Sequence, residues 1–106
     1  MTLYSRINSE LEQAEASRSA GNEGRARVCA RRAAGMAARD FLTRHEVRPV
    51  SVSAYQALQT LATFPALAPD LKQAAVHLTL RVTEEFALPV KIDLILEARK
   101  LIRGLL

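Results

Sequence analysis

The amino-acid sequence predicts an all-α protein, a compact bundle of four to five helices forming a single domain over residues 1–106. Two observations carry this prediction. Small apolar residues recur every three to four positions in the second predicted helix, and we call this set the alanine stripe: Ala26, Ala30, Ala33 and Ala37. Strand-like segments are almost absent, since the only candidate, 47–52, is short and interrupted by Pro49. Alanine lets a neighbouring helix approach closely, which favours tight helical packing.

The first two helices are predicted to form an antiparallel hairpin. Helix one runs from about Leu3 to about Ala20, and Gly21 ends it. Asn22 is a suitable N-cap for helix two, which continues from about Glu23 to about Arg44. The predicted inward face of helix one consists of Tyr4, Ile7, Leu11 and Ala14. So short a turn makes the two helices neighbours, and we expect them to meet along the alanine stripe.

Two shorter helices are predicted after a loop over 45–52. Ser53 and Gln56 have the spacing of a capping box, so helix three begins after Ser53 and ends before Pro65. Pro69 suits the first turn of helix four. The inward residues of helix three are Ala54, Ala57, Leu58, Leu61 and Ala62, and those of helix four are Leu71, Ala74, Ala75, Leu78 and Val82.

The last helix is predicted from about Val90, after Pro89, to about Gly104. It is apolar around more than half its circumference, at Ile92, Leu94, Ile95, Leu96, Ala98, Leu101, Ile102 and Leu105. A surface helix needs only one apolar stripe, so this helix is either enclosed by the other helices or covered by a partner. We predict a partner surface at Leu94, Ile95, Leu101 and Leu105 and a homodimer.

Charge and composition suggest one binding surface. The net charge is +4 and most basic residues are arginine. Residues seven apart on a helix differ by only about 20° in direction, so Arg25, Arg32 and Arg39 form an arginine stripe. Such a stripe either binds phosphates, as in weak nucleotide or RNA binding, or is simply a solvated arc. No apolar run reaches membrane-spanning length and the first residues lack a secretory layout, which predicts a cytoplasmic protein.

Only one pair of residues offers candidate chemistry. An arginine that holds phosphate and a histidine that moves a proton suit phosphodiester cleavage, and Arg39 with His45 is such a pair. The alternative for His45 is a favourable charge at a helix C-terminus. His77 has no second histidine or cysteine at ligand spacing, so we expect no metal site and no cofactor. Cys29 borders the alanine stripe and is expected to be a small buried apolar residue.

The order of these features resembles HEPN domains, the "higher eukaryotes and prokaryotes nucleotide-binding" family. The resemblance is carried by the turn at 20–22, the run 26–34 followed by Ala37 and Phe41, and the closing stretch 95–102. It implies a bundle of four to five helices that often dimerises. Members of the family either cleave RNA without metal or serve as non-catalytic partners, for instance of a nucleotidyltransferase.

The family's catalytic signature is an arginine, four to six residues, and then a histidine, late in the domain. Arg39 and His45 have this spacing but lie at the end of the second predicted helix, and Lys72 stands where His77 would need an arginine. Gly21, Ala26 and Ala33 also resemble the small residues of a tetratricopeptide hairpin. We therefore expect a non-enzymatic module that self-associates or docks onto a protein, with a metal-independent ribonuclease or a non-catalytic RNA binder as alternatives.

Overall fold

A computed structural model describes residues 2–47, 52–80 and 92–106, and these residues form a compact, entirely helical structure with no strand. The five helices are α1 (Leu3–Ser19), α2 (Glu23–Arg44), α3 (Ala54–Ala62), α4 (Pro69–Leu78) and α5 (Leu94–Leu105). The predictions that concern Pro49, Val82, Pro89 and Val90 lie outside the described residues. The all-α fold class is confirmed for the described part of the chain.

The ends of α1 and α2 follow from local chemistry. Gly21 adopts a φ of 80°, and the amide of Asn22 donates to the carbonyl of Ser17 at 2.8 Å, which is the Schellman arrangement that ends a helix. The side chain of Asn22 accepts from the amide of Arg25 and begins α2. The predicted bounds of α2 are confirmed, and α1 ends one residue earlier than predicted.

The second helix is the centre of the fold, because it packs against α1, α3 and α5. All four residues of the alanine stripe are fully buried. Burial on α2 extends well beyond the predicted stripe, to Cys29, Ala34, Gly35, Ala38 and Leu42. Helix α2 therefore offers small side chains to three neighbours rather than to one.

Helices α3 and α4 begin as predicted. The hydroxyl of Ser53 accepts from the amide of Gln56 at 3.3 Å, and Pro69 occupies the first turn of α4. Three of the large residues predicted to point inward are buried: Leu58, Leu61 and Leu78. Ala54, Ala62 and Leu71 are only half-buried, although the sequence placed them inward.

The start of α5 differs from the prediction. Helix α5 begins at Leu94 rather than near Val90, because the carboxylate of Asp93 accepts from the amides of Ile95 and Leu96 and so caps the helix there. The guanidinium of Arg18 binds the same carboxylate at 2.9 Å and ties the end of α1 to the start of α5. Ile92 therefore precedes the helix instead of belonging to it.

The predicted partner surface on α5 is corrected by the structure. Leu94, Ile95, Leu101 and Leu105 are between 0% and 4% exposed, so they are buried within the chain itself. Helix α5 packs against α2 and α4 and also contacts α1, and these three neighbours cover its wide apolar arc except at Leu96, which is 63% exposed. The intramolecular explanation for that arc is therefore the correct one, and these four residues are not available to a partner on this folded surface.

Candidate functional site

The arginine stripe lies along α2 as predicted. Arg25 and Arg32 are exposed, and Arg39 is half-buried, with an Nε atom that is buried and has no hydrogen-bond partner. None of the three forms an ion pair with any residue of the described ranges 2–47, 52–80 and 92–106. By contrast, Arg44 pairs with Asp40 at 2.8 Å. The three arginines are thus not held in ion pairs within these ranges, although Glu10 lies close enough to act on Cys29 together with Arg25 and Arg32.

Cys29 lies beside this stripe, on the buried side. It is a free thiol and almost completely buried, as expected for a small apolar residue. Burial raises the pKa of the Cys29 thiol, the nearby carboxylate of Glu10 raises it further, and Arg25 and Arg32 oppose them only in part. A thiol in this setting stays protonated and unreactive. Cys29 therefore contributes to packing rather than to chemistry.

His45 is held in an aromatic cluster at the end of α2. Its Nδ1 donates to the carbonyl of Phe41 at 2.9 Å, and its ring stacks on Phe41 with centroids 4.0 Å apart. The ring of Phe64, from the α3–α4 connection, approaches edge-on at 5.5 Å. The spacing of four residues between Phe41 and His45 is the sequence signal for this contact, because such residues are neighbours on one face of a helix.

The structure does not assemble Arg39 and His45 into a site. Residues six apart on an α-helix point about 120° away from each other. Among the residues that the structure describes, no hydrogen bond or ring contact joins the two side chains, since His45 contacts Phe41 and Phe64 instead. The two side chains therefore have separate settings on the described surface.

His77 has a structural setting between two helices. Its Nδ1 lies 3.1 Å from Oε1 of Glu97, and both side chains are largely buried, so the contact links α4 to α5. The second oxygen of Glu97 is buried and has no partner. Within the described part of the chain, no group of three or more His, Cys, Asp or Glu side chains is arranged to hold a metal ion.

A depression between α1 and the C-terminal half of α5 is the candidate binding site. It has a volume of about 300 Å³ and we call it the α1–α5 groove; its lining residues are Tyr4, Asn8, Leu11, Arg99, Ile102, Arg103 and Leu106. Leu11 and Ile102 are buried and form its floor. Tyr4 was predicted to point inward but is 62% exposed, and Leu106 is 38% exposed. Both therefore form an apolar rim.

The groove is also basic. Arg99 and Arg103 lie four residues apart on α5, which places them on one face about one turn from each other. Arg99 is 3.4 Å from the carboxylate of Glu15, and both side chains are about half exposed. The sequence shows the basic pair Arg99 and Arg103 but does not show that α1 lies next to α5. The groove depends on that adjacency and so was not predicted.

Comparisons with known proteins assign no family: no family model, no curated protein and no solved structure matches this chain. No described helix is both long enough and apolar enough to cross a membrane. The function must therefore be argued from the residues.

Proposed function

We propose that this protein is a non-enzymatic helical module that docks onto a partner protein through the α1–α5 groove. The observation that carries the proposal is the combination, in one depression, of an apolar floor, an exposed apolar rim and two arginines. Apolar surface next to arginine is typical of protein-binding sites, where aromatic residues and arginine are enriched. This surface replaces the one predicted on the buried face of α5.

The proposal is tested by photo-crosslinking in the cell of origin. A photoreactive residue replaces Asn8, which lines the groove, and in a control protein it replaces Thr60, which is exposed on α3. We expect crosslinks to another polypeptide from position 8 but not from position 60. Equal crosslinking from both positions, or none from position 8, would contradict the proposal. The mass of the product distinguishes self-association from a different partner.

A second candidate function is non-catalytic binding of RNA or a nucleotide by the arginine stripe. It is supported by the charges of Arg25, Arg32 and Arg39, none of which forms an ion pair within the described residues. If all three contact phosphates of a single strand, the logarithm of affinity falls with the logarithm of salt with a slope of about −2. Replacing all three with glutamine should abolish this slope, whereas Lys100→Gln should change it little. A slope unchanged in the triple variant would contradict this candidate.

We also propose a HEPN-like arrangement with α1 and α2 antiparallel, and no ribonuclease activity. The arrangement is supported by the three-residue turn at 20–22 and by the packing of α1 on α2. The absence of activity is supported by the separate settings of Arg39 and His45. Incubation with single-stranded and structured RNA without metal should give no cleavage above background. Cleavage that disappears in both Arg39→Ala and His45→Ala would overturn this prediction.

We further propose a cytoplasmic location. It is supported by the free thiol of Cys29, because cysteines remain reduced in that compartment. Cell fractionation tests it, and recovery of the protein in a secreted or membrane fraction would contradict it.

A further inference from the structure

We propose that the partner in the α1–α5 groove is an acidic amphipathic helix of another protein. Its apolar side chains would lie between the rim residues, and its carboxylates would bind Arg99 and Arg103. This inference rests on the proposed function, and it adds the chemical class of the partner.

The dimensions of the groove suit one face of a helix. On α1 it extends from Tyr4 to Leu11, which is eight residues, or seven helical steps covering about 10 Å. An incoming helix presents its apolar side chains at intervals of three and four residues, so about two turns match this length. The volume of about 300 Å³ is at the low end for ligand pockets. It therefore holds a few side chains rather than a whole helix.

The charges of the groove select an acidic partner. Arg103 has no carboxylate partner within the described residues, and Arg99 has only the exposed pair with Glu15. Exposed pairs of this kind contribute little, so a carboxylate on the partner can replace Glu15 at small cost. Carboxylates spaced four residues apart on a helix match two arginines spaced four residues apart, and each can bind in the forked geometry that arginine favours.

Two other occupants fit less well. A second copy of this chain, paired symmetrically groove to groove, would bring Arg99 and Arg103 of both copies into one interface, and like charges oppose such pairing. The net charge of +4 acts in the same direction. A nucleic acid would satisfy the arginines but would leave Leu11 and Ile102 covered by polar phosphate, and the groove offers only Tyr4 for base stacking.

The test uses the full chain and designed probes. The first probe is a fluorescent 16-residue helical peptide with leucine at four positions of one face and glutamate on either side of that face. A second peptide has lysine in place of each glutamate, and a third has glutamine. A 16-nucleotide single-stranded RNA is the fourth probe. Binding is followed by fluorescence anisotropy at low salt. We expect the glutamate peptide to bind at least about tenfold more tightly than the lysine peptide, with glutamine between them.

Two matched pairs of variants locate the binding. Arg103→Glu should lower the affinity for the glutamate peptide by about tenfold or more. Lys100→Glu makes the same charge change on an exposed residue outside the groove and should lower that affinity much less. Tyr4→Ala should weaken binding by several-fold, and Val28→Ala, at an exposed valine of α2, should not. Circular dichroism confirms that each variant remains helical.

Three results would overturn the inference: equal affinity for the glutamate and lysine peptides, equal effects of Arg103→Glu and Lys100→Glu, or tighter binding of the RNA than of the glutamate peptide. If the peptides fail while position 8 still crosslinks to another chain, the acidic-helix inference is wrong and the proposed docking function stands. If position 8 gives no crosslink, the docking function itself fails.

Discussion

Replacing Gly35 with alanine should destabilise the protein, although alanine is the better helix former. Gly35 lies in the interior of α2, where α3 begins against it. A Cβ atom added at Gly35 would lie 2.7 Å from the Cα atom of Ala54, whereas carbon atoms in favourable contact are about 3.5–4.0 Å apart. The obstacle is backbone, so no side-chain rotation relieves it, and α3 must move by about 1 Å.

The expected magnitude is a balance of two effects. A glycine-to-alanine change in an unobstructed helix interior stabilises by about 0.8–1.0 kcal/mol. Overpacking a well-packed core costs about 1–3 kcal/mol, and a clash with backbone belongs to the upper part of that range. The net loss is therefore about 1–2 kcal/mol. For a domain near this size each kcal/mol lowers the melting temperature by about 4–8 °C.

Gly24→Ala is the matched control, because it makes the same change in the same helix. The nearest atom to a Cβ at that position is Oδ1 of Asn22 at 3.9 Å, which is ordinary contact. This variant should be stabilised by about 0.5–1 kcal/mol. Both are measured by urea unfolding followed by circular dichroism. If Gly35→Ala is stabilised as much as Gly24→Ala, then α3 does not approach α2 closely here and the reasoning is refuted.

Three further predictions concern a half-buried arginine, a helix-capping carboxylate and a buried thiol. Arg31 Nε donates to the carbonyl of Leu78 at 2.7 Å, so Arg31→Met should lower the free energy of unfolding, measured with urea, by about 1.5–3 kcal/mol. Arg31→Lys should not restore this stability, because lysine lacks the planar guanidinium. A wild-type unfolding midpoint in the methionine variant would contradict this. Partial burial acts to raise the pKa of Asp93, but hydrogen bonds from Arg18 and from backbone amides outweigh it and lower that pKa. A carboxyl group whose pKa is lowered by folding stabilises the fold at pH values above its pKa in the unfolded chain, about 3.9. The Asp93→Asn variant should therefore be less stable than the wild type at pH 7, and this difference in unfolding free energy should shrink as the pH falls below about 4. A difference that does not change with pH would refute the role of charge. The Cys29 thiol, whose pKa burial raises, should react with a thiol reagent only after unfolding in denaturant, and rapid reaction of the native protein would show that it is accessible.

The helix boundaries that the sequence predicted correctly are those with a local signal. Gly21 and Asn22 end one helix and begin the next within the hydrogen-bonding range of a single turn. Ser53 and Pro69 act in the same local way at the starts of α3 and α4. In each of these cases, the residues that determine the boundary are within four positions of it. Such signals can be read without knowing which helices are neighbours.

Boundaries and faces that depend on distant residues were predicted poorly. The start of α5 was predicted near Val90, after Pro89, whereas Asp93 caps the helix that begins at Leu94. The choice of Asp93 is reinforced by Arg18, which is 75 positions away. Tyr4 was assigned to the inward face from its spacing with Ile7, yet it lies at the rim of the α1–α5 groove. A helical period identifies a direction, but only the neighbours decide where burial ends.

The wide apolar arc of α5 shows why a binding surface is harder to predict than a core. From the sequence, an arc that one neighbour cannot cover indicates either a partner or additional neighbours, and both satisfy the same hydrophobic requirement. The structure supplies the neighbours, since α2, α4 and α1 all contact α5 and leave Leu94 and Leu101 almost fully buried. The surface that we propose for a partner lies where this enclosure is incomplete, between α1 and the end of α5. There Tyr4 and Leu106 are exposed, and Arg99 and Arg103 line the same groove. The partner site that we propose therefore lies at a gap between helices, and not on the helix with the most apolar residues.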